Sequence, residues 1–356
     1  MKRVSIIGSD GFFASYGGWD QLINNIILLS KTDHLYHITQ PIDSPIKAIA
    51  SNLVITRSIF RGSGFLGMLL DIQGILNTFF KTDTFMLLGT KAFPIVYFLK
   101  MLFRRKIKII VNTAGIEWER PQFSAITKIY LKFSYKLALK NANFIVLDNQ
   151  HYIHKILNTF GMQPRSYSVI PYGGSIDYSL DINNELLNKY PFLNKPYFLS
   201  ISRSIEDNKI LDLCETFRDL NKDLVLISNF SNSDYGKRVL KSFNGYQNIT
   251  LIDGLYNKPV LDLIRRCSIA YIHTHTLCGS APSLIEMIVC NKPLLSIDIP
   301  QNRYTTNKEC LLFKDFSELS EMLCDSDRLQ SLKTPSQQLR DSYKWEQIVR
   351  KYEELF

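Results

Sequence analysis

Short apolar runs alternate with stretches of helical period through most of this chain. In the first half, residues 4–8, 53–56, 84–88, 107–112 and 143–147 are compact and rich in β-branched and aromatic side chains, which predicts buried strands. Between them, residues 20–30, 64–80, 93–103, 124–140 and 150–160 carry the spacing of helices. Such a β-α-β rhythm predicts a mostly parallel sheet covered by helices on both faces. A Pro/Gly turn at 169–174, followed by a polar stretch to Asn194, interrupts the rhythm and marks a domain boundary. Strands are then expected at 197–202, 223–228, 249–253, 269–275 and 292–298, with helices at 210–220, 259–266 and 282–290. In the last segment, Trp345, Ile348, Val349, Tyr352 and Leu355 share one helical face.

With 356 residues, two domains are expected, each large enough for its own core. The repeated rhythm makes both Rossmann-like, with a cleft between them. The longest uncharged apolar run, 92–99, is too short to span a bilayer, and residues 4–8 read as a strand rather than as part of a signal peptide. All six cysteines lie in the second half without CxxC spacing, so neither a zinc motif nor a disulfide framework is indicated, and a reducing cytoplasm fits.

The net charge of +9 is unevenly spread. Residues 1–170 hold 20 basic against 9 acidic residues, and the remainder 22 against 24. The first domain therefore meets an anionic partner or surface. No nucleic-acid-binding motif accompanies the charge, and an anionic membrane face fits at least as well. Lys128, Lys132, Lys136 and Lys140 recur every fourth residue along one helix face, a solvated stripe or a contact for anionic lipid.

The most informative stretch is 271–286. A strand-like run is followed by the turn Gly279-Ser280-Ala281, then Pro282-Ser283 opening an apolar helix that carries Glu286. Proline suits a first helical turn because its missing N–H would be unpaired there. The exposed N–H groups and the helix dipole favour an anion such as phosphate, and Glu286 one turn on can accept hydrogen bonds from sugar hydroxyls. Ser202-Arg203 ends the preceding strand and Asp207-Asn208-Lys209 opens a helix, so a guanidinium and an ammonium can clamp a diphosphate. His273 and His275 share a strand face; without a third ligand they indicate no metal, and His275 is expected to bond a ligand or the turn. In the first domain, an open glycine loop ends in Tyr16-Gly17-Gly18, which is not a GxGxxG fingerprint. After strand 107–112, the sequence Asn112-Thr113-Ala114-Gly115-Ile116-Glu117-Trp118-Glu119-Arg120 offers an acid, an indole and a guanidinium for sugar recognition.

In this order the motifs resemble bacterial family 4 glycosyltransferases of the GT-B fold, in the branch of polysaccharide rhamnosyltransferases. The resemblance runs nearly end to end. It includes Tyr16-Gly17-Gly18, Gly115-Ile116-Glu117-Trp118 with Arg120, Lys132-Phe133-Ser134, Pro171-Tyr172-Gly173, Arg203 with Asn208, His273 with His275, Gly279, Pro282-Ser283-Leu284 with Glu286, Asn302-Arg303 and Trp345-Glu346.

The resemblance implies an acceptor-binding domain over 1–170, a nucleotide-sugar-binding domain over 171–340, and a helix over 341–356 packing back on the first. It implies a retaining, metal-independent transfer of a sugar, such as L-rhamnose, from a nucleoside diphosphate to a polyprenyl-diphosphate-linked oligosaccharide. That would be a step of O-antigen or capsule synthesis, at the inner membrane face and with no cofactor. Catalytic roles fall to Arg203, Lys209 and Glu286. Donor contacts fall to these and to Gly17, Gly18, Tyr172, Asn208, His275, Gly279, Ser280, Pro282, Ser283 and Leu284. Acceptor contacts fall to Tyr16, Asn112, Glu117, Trp118 and Arg120. The sequence departs from the pattern at Ala114 (Asp in the branch), Asn208 (Lys in most relatives outside it), Thr274, Cys278 (Glu in many relatives) and Ala281. A non-catalytic nucleotide-sugar-binding subunit and a sugar-nucleotide epimerase are the alternative readings.

Overall fold

The computed structural model describes residues 1–356 apart from 10, 14–17, 45–49, 62–63, 114 and 120–122 and the side chains of Phe65 and Glu117. It divides into two compact units, residues 1–172 with 345–356, and residues 173–344.

Among the described residues, the first unit is built on seven strands: β1 (Arg3–Ile7), β2 (Leu35–Pro41), β3 (Leu53–Ser58), β4 (Thr84–Leu88), β5 (Lys108–Asn112), β6 (Phe144–Leu147) and β7 (Tyr167–Val169). All pair in parallel, in the order β3-β2-β1-β4-β5-β6-β7. The connecting helices are α1 (Gly18–Leu29), α2 (Gly64–Thr78), α3 (Phe93–Leu102), α4 (Ala125–Asn141) and α5 (His151–Phe160). Two apolar cores form, because buried parallel strands present hydrophobic side chains on both faces. One core joins Ile109 and Val111 of β5 to Val96 of α3 and to Leu131, Tyr135 and Ala138 of α4. The other joins Val4 and Ile6 of β1 to Ile23 and Ile26 of α1.

The second unit has six parallel strands: β8 (Tyr197–Ile201), β9 (Asp223–Ser228), β10 (Ile249–Asp253), β11 (Ala270–His273), β12 (Leu294–Ile297) and β13 (Leu311–Phe313), in the order β10-β9-β8-β11-β12-β13. Around them run α6 (Asn184–Lys189), α7 (Ile210–Arg218), α8 (Asp234–Phe243), α9 (Lys258–Cys267), α10 (Pro282–Val289), α11 (Pro300–Thr305), α12 (Phe316–Cys324), α13 (Ser326–Gln330) and α14 (Gln337–Ser342). The last helix, α15 (Trp345–Glu353), belongs to the first unit. Its apolar face, Trp345, Ile348, Val349 and Tyr352, is buried in the β1/α1 core, and Lys2 and Lys108 donate to the carbonyl of Phe356 at 2.8 and 3.3 Å.

In both sheets the strand order reverses beside the first strand, between β1 and β4 and between β8 and β11. Ligands of such folds gather at the carboxyl ends of these strands, where the two loops diverge. At the first reversal Gly8, with φ +101°, lies so close to β4 that a Cβ would sit 2.4 Å from the Leu88 carbonyl oxygen. Only glycine fits there. Among the described residues no helix is long and apolar enough to cross a membrane.

Candidate functional site

At the reversal in the second unit, β8 runs out at Ile201 and the chain enters a loop shaped by its own polar groups. The Arg203 carbonyl accepts from Ile205 N at 2.9 Å and from Asn208 Nδ2 at 2.8 Å. Asn208 is buried and its carbonyl accepts from Thr274 Oγ1 at 2.5 Å. The Asp207 carbonyl accepts from both N and Oγ1 of Thr276, at 3.0 and 2.8 Å. The loop after β8 is thus laced to the loop after β11. Arg203 itself is exposed and makes no ion pair among the described residues. Lys209 caps α7 in the left-handed region, φ 54° and ψ 31°, with its side chain partly exposed. Asn208, read from the sequence as a donor contact, is buried and its amide holds the Arg203 backbone carbonyl.

The loop after β11 passes through buried Ser280 and Ala281 to α10. Pro282 opens the helix and Ala281 supplies no side-chain cap. The first intrahelical bond of this turn is Ile285 N to Ala281 O, at 3.1 Å, so the N–H groups of Ser283 and Leu284 point out of the helix start. Leu284 has its side chain fully buried and offers only its backbone. Tyr271, beneath this turn, donates to the Ile201 carbonyl at 3.1 Å, and burial pushes its phenol up to about 12 despite a bond to Ser283.

Glu286 does not stand alone. Arg265, 3 % exposed on α9, donates one guanidinium nitrogen to Glu286 and another to the fully buried Asp262. Asp262 also accepts from Lys258 Nζ at 2.6 Å and from Asp177 N at 2.8 Å. Burial works to lower the Arg265 pKa, but Glu286 and Asp262 outweigh it and the net shift is upward. The network fixes one carboxylate oxygen of Glu286. Gly174 lets the chain pass over α10 at this point, where a Cβ would lie 3.3 Å from Glu286 Cα. Sequence reasoning missed Arg265 and Asp262, because charges three and four apart on a helix read as an ordinary solvated face.

His273 is fully buried at the end of β11, with its ring centroid 4.2 Å from that of His275. Burial holds His273 well below the ordinary histidine range and takes His275 down to about 3, where the Arg203 charge adds to the effect. Both rings are therefore neutral at pH 7. Cys278 Sγ lies 3.9 Å from His273 Nε2 and donates to Asn302 Oδ1 at 3.6 Å. The turn therefore supplies the third ligand-type group that strand alternation alone did not suggest.

In the first unit, Gly18 starts α1 against the ring of Tyr172, 2.9 Å from where a Cβ would stand, so these two expected donor contacts are neighbours. The acceptor set fares differently. Trp118, expected to contact the acceptor, is buried edge-on against Tyr135 (4.7 Å between centroids) and Phe160 (5.5 Å) as part of the core. Asn112, 2 % exposed and expected to contact the acceptor, donates to Tyr352 Oη at 2.7 Å and ties β5 to α15. Glu117 lies in a short 3-10 turn, Glu117–Glu119, and its side chain is outside the described residues. So are Tyr16, Gly17, Ala114 and Arg120.

Two Rossmann-like domains, each with its sheet reversal, define the GT-B fold. Comparison with solved structures agrees over the whole chain. Sucrose-phosphate synthase from Thermosynechococcus elongatus superposes with a TM-score of 0.81 at 12% identity, covering 100% of this chain and 98% of that one. HepE of Anabaena in complex with UDP and glucose gives 0.73 at 14% identity, covering 99% of each chain. The trehalose-6-phosphate enzyme from E. coli bound with UDP-2-fluoro glucose gives 0.64 at 12% identity, covering 99% of this chain and 96% of that one. A match to the family described as a domain of unknown function (DUF1972) covers residues 66–175. No curated protein matches the sequence.

Proposed function

We propose that the chain is a retaining glycosyltransferase whose second unit holds a nucleoside-diphosphate sugar. One observation carries this reading. The exposed Arg203 and the uncapped start of α10 occupy two loops, bonded to each other, at the carboxyl ends of adjacent parallel strands. A guanidinium and outward N–H groups together suit the oxygens of two linked phosphates. Glu286, held by Arg265, presents a carboxylate to ribose hydroxyls. HepE, which has the same fold, is described in complex with UDP-glucose, which supports a donor of this class.

Breaking the glycosyl–phosphate bond develops negative charge on the leaving diphosphate. Arg203, Lys209 and the α10 amides would stabilise that charge without a metal cofactor. One such fixed donor contributes about 2.7–4 kcal/mol, or two to three orders of magnitude in rate. Pro282 adds no donor but sets the helix start, and Gly279, Ser280 and His275 line the approach to it.

The acceptor in this reading is a polyprenyl-diphosphate-linked oligosaccharide, extended at the cytoplasmic face of the membrane during O-antigen or capsule synthesis with a sugar such as L-rhamnose. Support comes from the first unit's surface. Phe98, Met101 and Leu102 of α3, and Ile126, Ile129 and Phe133 of α4, are 57–81 % exposed. Lys132, Lys136 and Lys140 of α4 and the neighbouring Arg104 and Lys106 are exposed as well. Apolar side chains rimmed by lysines suit insertion at an anionic bilayer surface.

The test is a thermal-shift screen against nucleotide sugars, followed by transfer assays and determination of the product's anomeric configuration. Arg203→Ala and Glu286→Ala should each abolish transfer in a folded protein. Full activity in both variants would refute the site.

A further inference from the structure

We propose that His273, His275 and Cys278 form a binding site for a zinc-class divalent cation. The two imidazoles meet where β11 ends at His273 and the chain runs on through His275, with ring centroids 4.2 Å apart. The turn leading to α10 then returns the Cys278 thiol toward them. One ligand atom from each of the three lies within 4.8 Å of the others, and Cys278 Sγ is 3.9 Å from His273 Nε2. Tetrahedral zinc, with bonds of about 2.0–2.1 Å to nitrogen and about 2.3 Å to sulfur, needs its ligands roughly 3.3–3.6 Å apart. Small side-chain rotations close that gap.

A second observation points the same way. Among the described residues, buried His275 Nε2 has no hydrogen-bond partner, and neither has His273 Nδ1, the ring nitrogen other than the one 3.9 Å from Cys278 Sγ. Buried ring nitrogens are ordinarily paired, so the orphaned His275 nitrogen beside the His273 ring calls for a missing partner. Neutral imidazoles present lone pairs to a cation without first losing a proton. The thiol proton would leave to solvent on binding, and the resulting thiolate offsets the nearby Arg203 charge. Fully buried Asn302 accepts from the Cys278 thiol through Oδ1, a bond given up when the thiol loses its proton on binding the ion. Three protein ligands leave a fourth place for water. The ion is not a cofactor of the proposed transfer, and the inference stands whether or not that reading holds.

Metal-stripped protein should bind one Zn2+ per chain by calorimetric titration. Its Co2+ form should show a thiolate-to-cobalt charge-transfer band in the near ultraviolet. Cys278→Ser should lose the band, and both Cys278→Ser and His275→Gln should weaken Zn2+ binding at least about tenfold. Unchanged circular dichroism and melting of the metal-free variants would show that the loss is local. Absence of stoichiometric Zn2+ binding, a cobalt spectrum without a sulfur band, or equal affinity in both variants overturns the proposal.

Discussion

Replacing Arg265 by Met removes the one cation that, among the described residues, bridges Asp262 and Glu286. Asp262 is fully buried, so the variant leaves its carboxylate with only Lys258 at 2.6 Å and the Asp177 N–H at 2.8 Å. Breaking a buried ion pair from one side typically costs about 3–5 kcal/mol, since the remaining charge stays desolvated. Lys258 is roughly half exposed and compensates in part, so the lower end, about 3 kcal/mol, is expected. For a unit of this size, about 2–4 °C in Tm accompanies each kcal/mol, so the transition should fall by about 6–12 °C. Scanning calorimetry is the suitable assay, because two compact units can melt separately and only one transition should move. The double variant Arg265→Met/Asp262→Leu removes both buried charges and should recover most of the loss. A shift below about 2 °C in the single variant, or a double variant less stable than the single, would refute the network as a structural element.

Other outcomes follow from the same geometry. The two depressed histidines bind protons more weakly folded than unfolded, so their contribution is complete above the unfolded value near 6.5 and is lost as pH falls below it, down to about 3 for His275. Urea titrations should show about 1 kcal/mol per histidine lost between pH 7 and pH 5.5, and His275→Gln should flatten that slope. Gly8→Ala, at φ +101° and 2.4 Å from a carbonyl oxygen, should lower stability by about 1–3 kcal/mol, whereas Gly161→Ala, with open space around it, should cost less. Ile129→Glu with Phe133→Glu should abolish sedimentation with anionic vesicles without changing Tm, and wild-type binding should weaken with salt. Wild-type protein that ignores such vesicles at low salt would remove the membrane reading.

The strands richest in branched and aromatic residues were legible in the sequence, because burial on both faces imposes one composition. The register 84–88 and the run 249–253 coincide with β4 and β10. β2 was not legible: it lies between β1 and β3 and buries His37, Thr39 and Gln40, polar residues that read as exposed. α8 escaped notice because its buried side rests on little more than Gly236, Val239 and Phe243. For the candidate site, Pro282-Ser283 and the Arg203 turn could be read directly, since a helix start and a strand end are local features.

What distance along the chain conceals, only the folded structure decided. Asp262, Arg265 and Glu286 become one network because α9 and α10 bring them together out of water. Trp118 looks available in a loop and Asn112 at a strand end, yet packing against α4 and α15 encloses them. The sequence determined which segments are strands and helices and where a phosphate could be met, because those depend on neighbours in the chain. Which charges are buried, which aromatic is core and which two histidines meet a thiol depend on neighbours in space, and only tertiary structure supplies them.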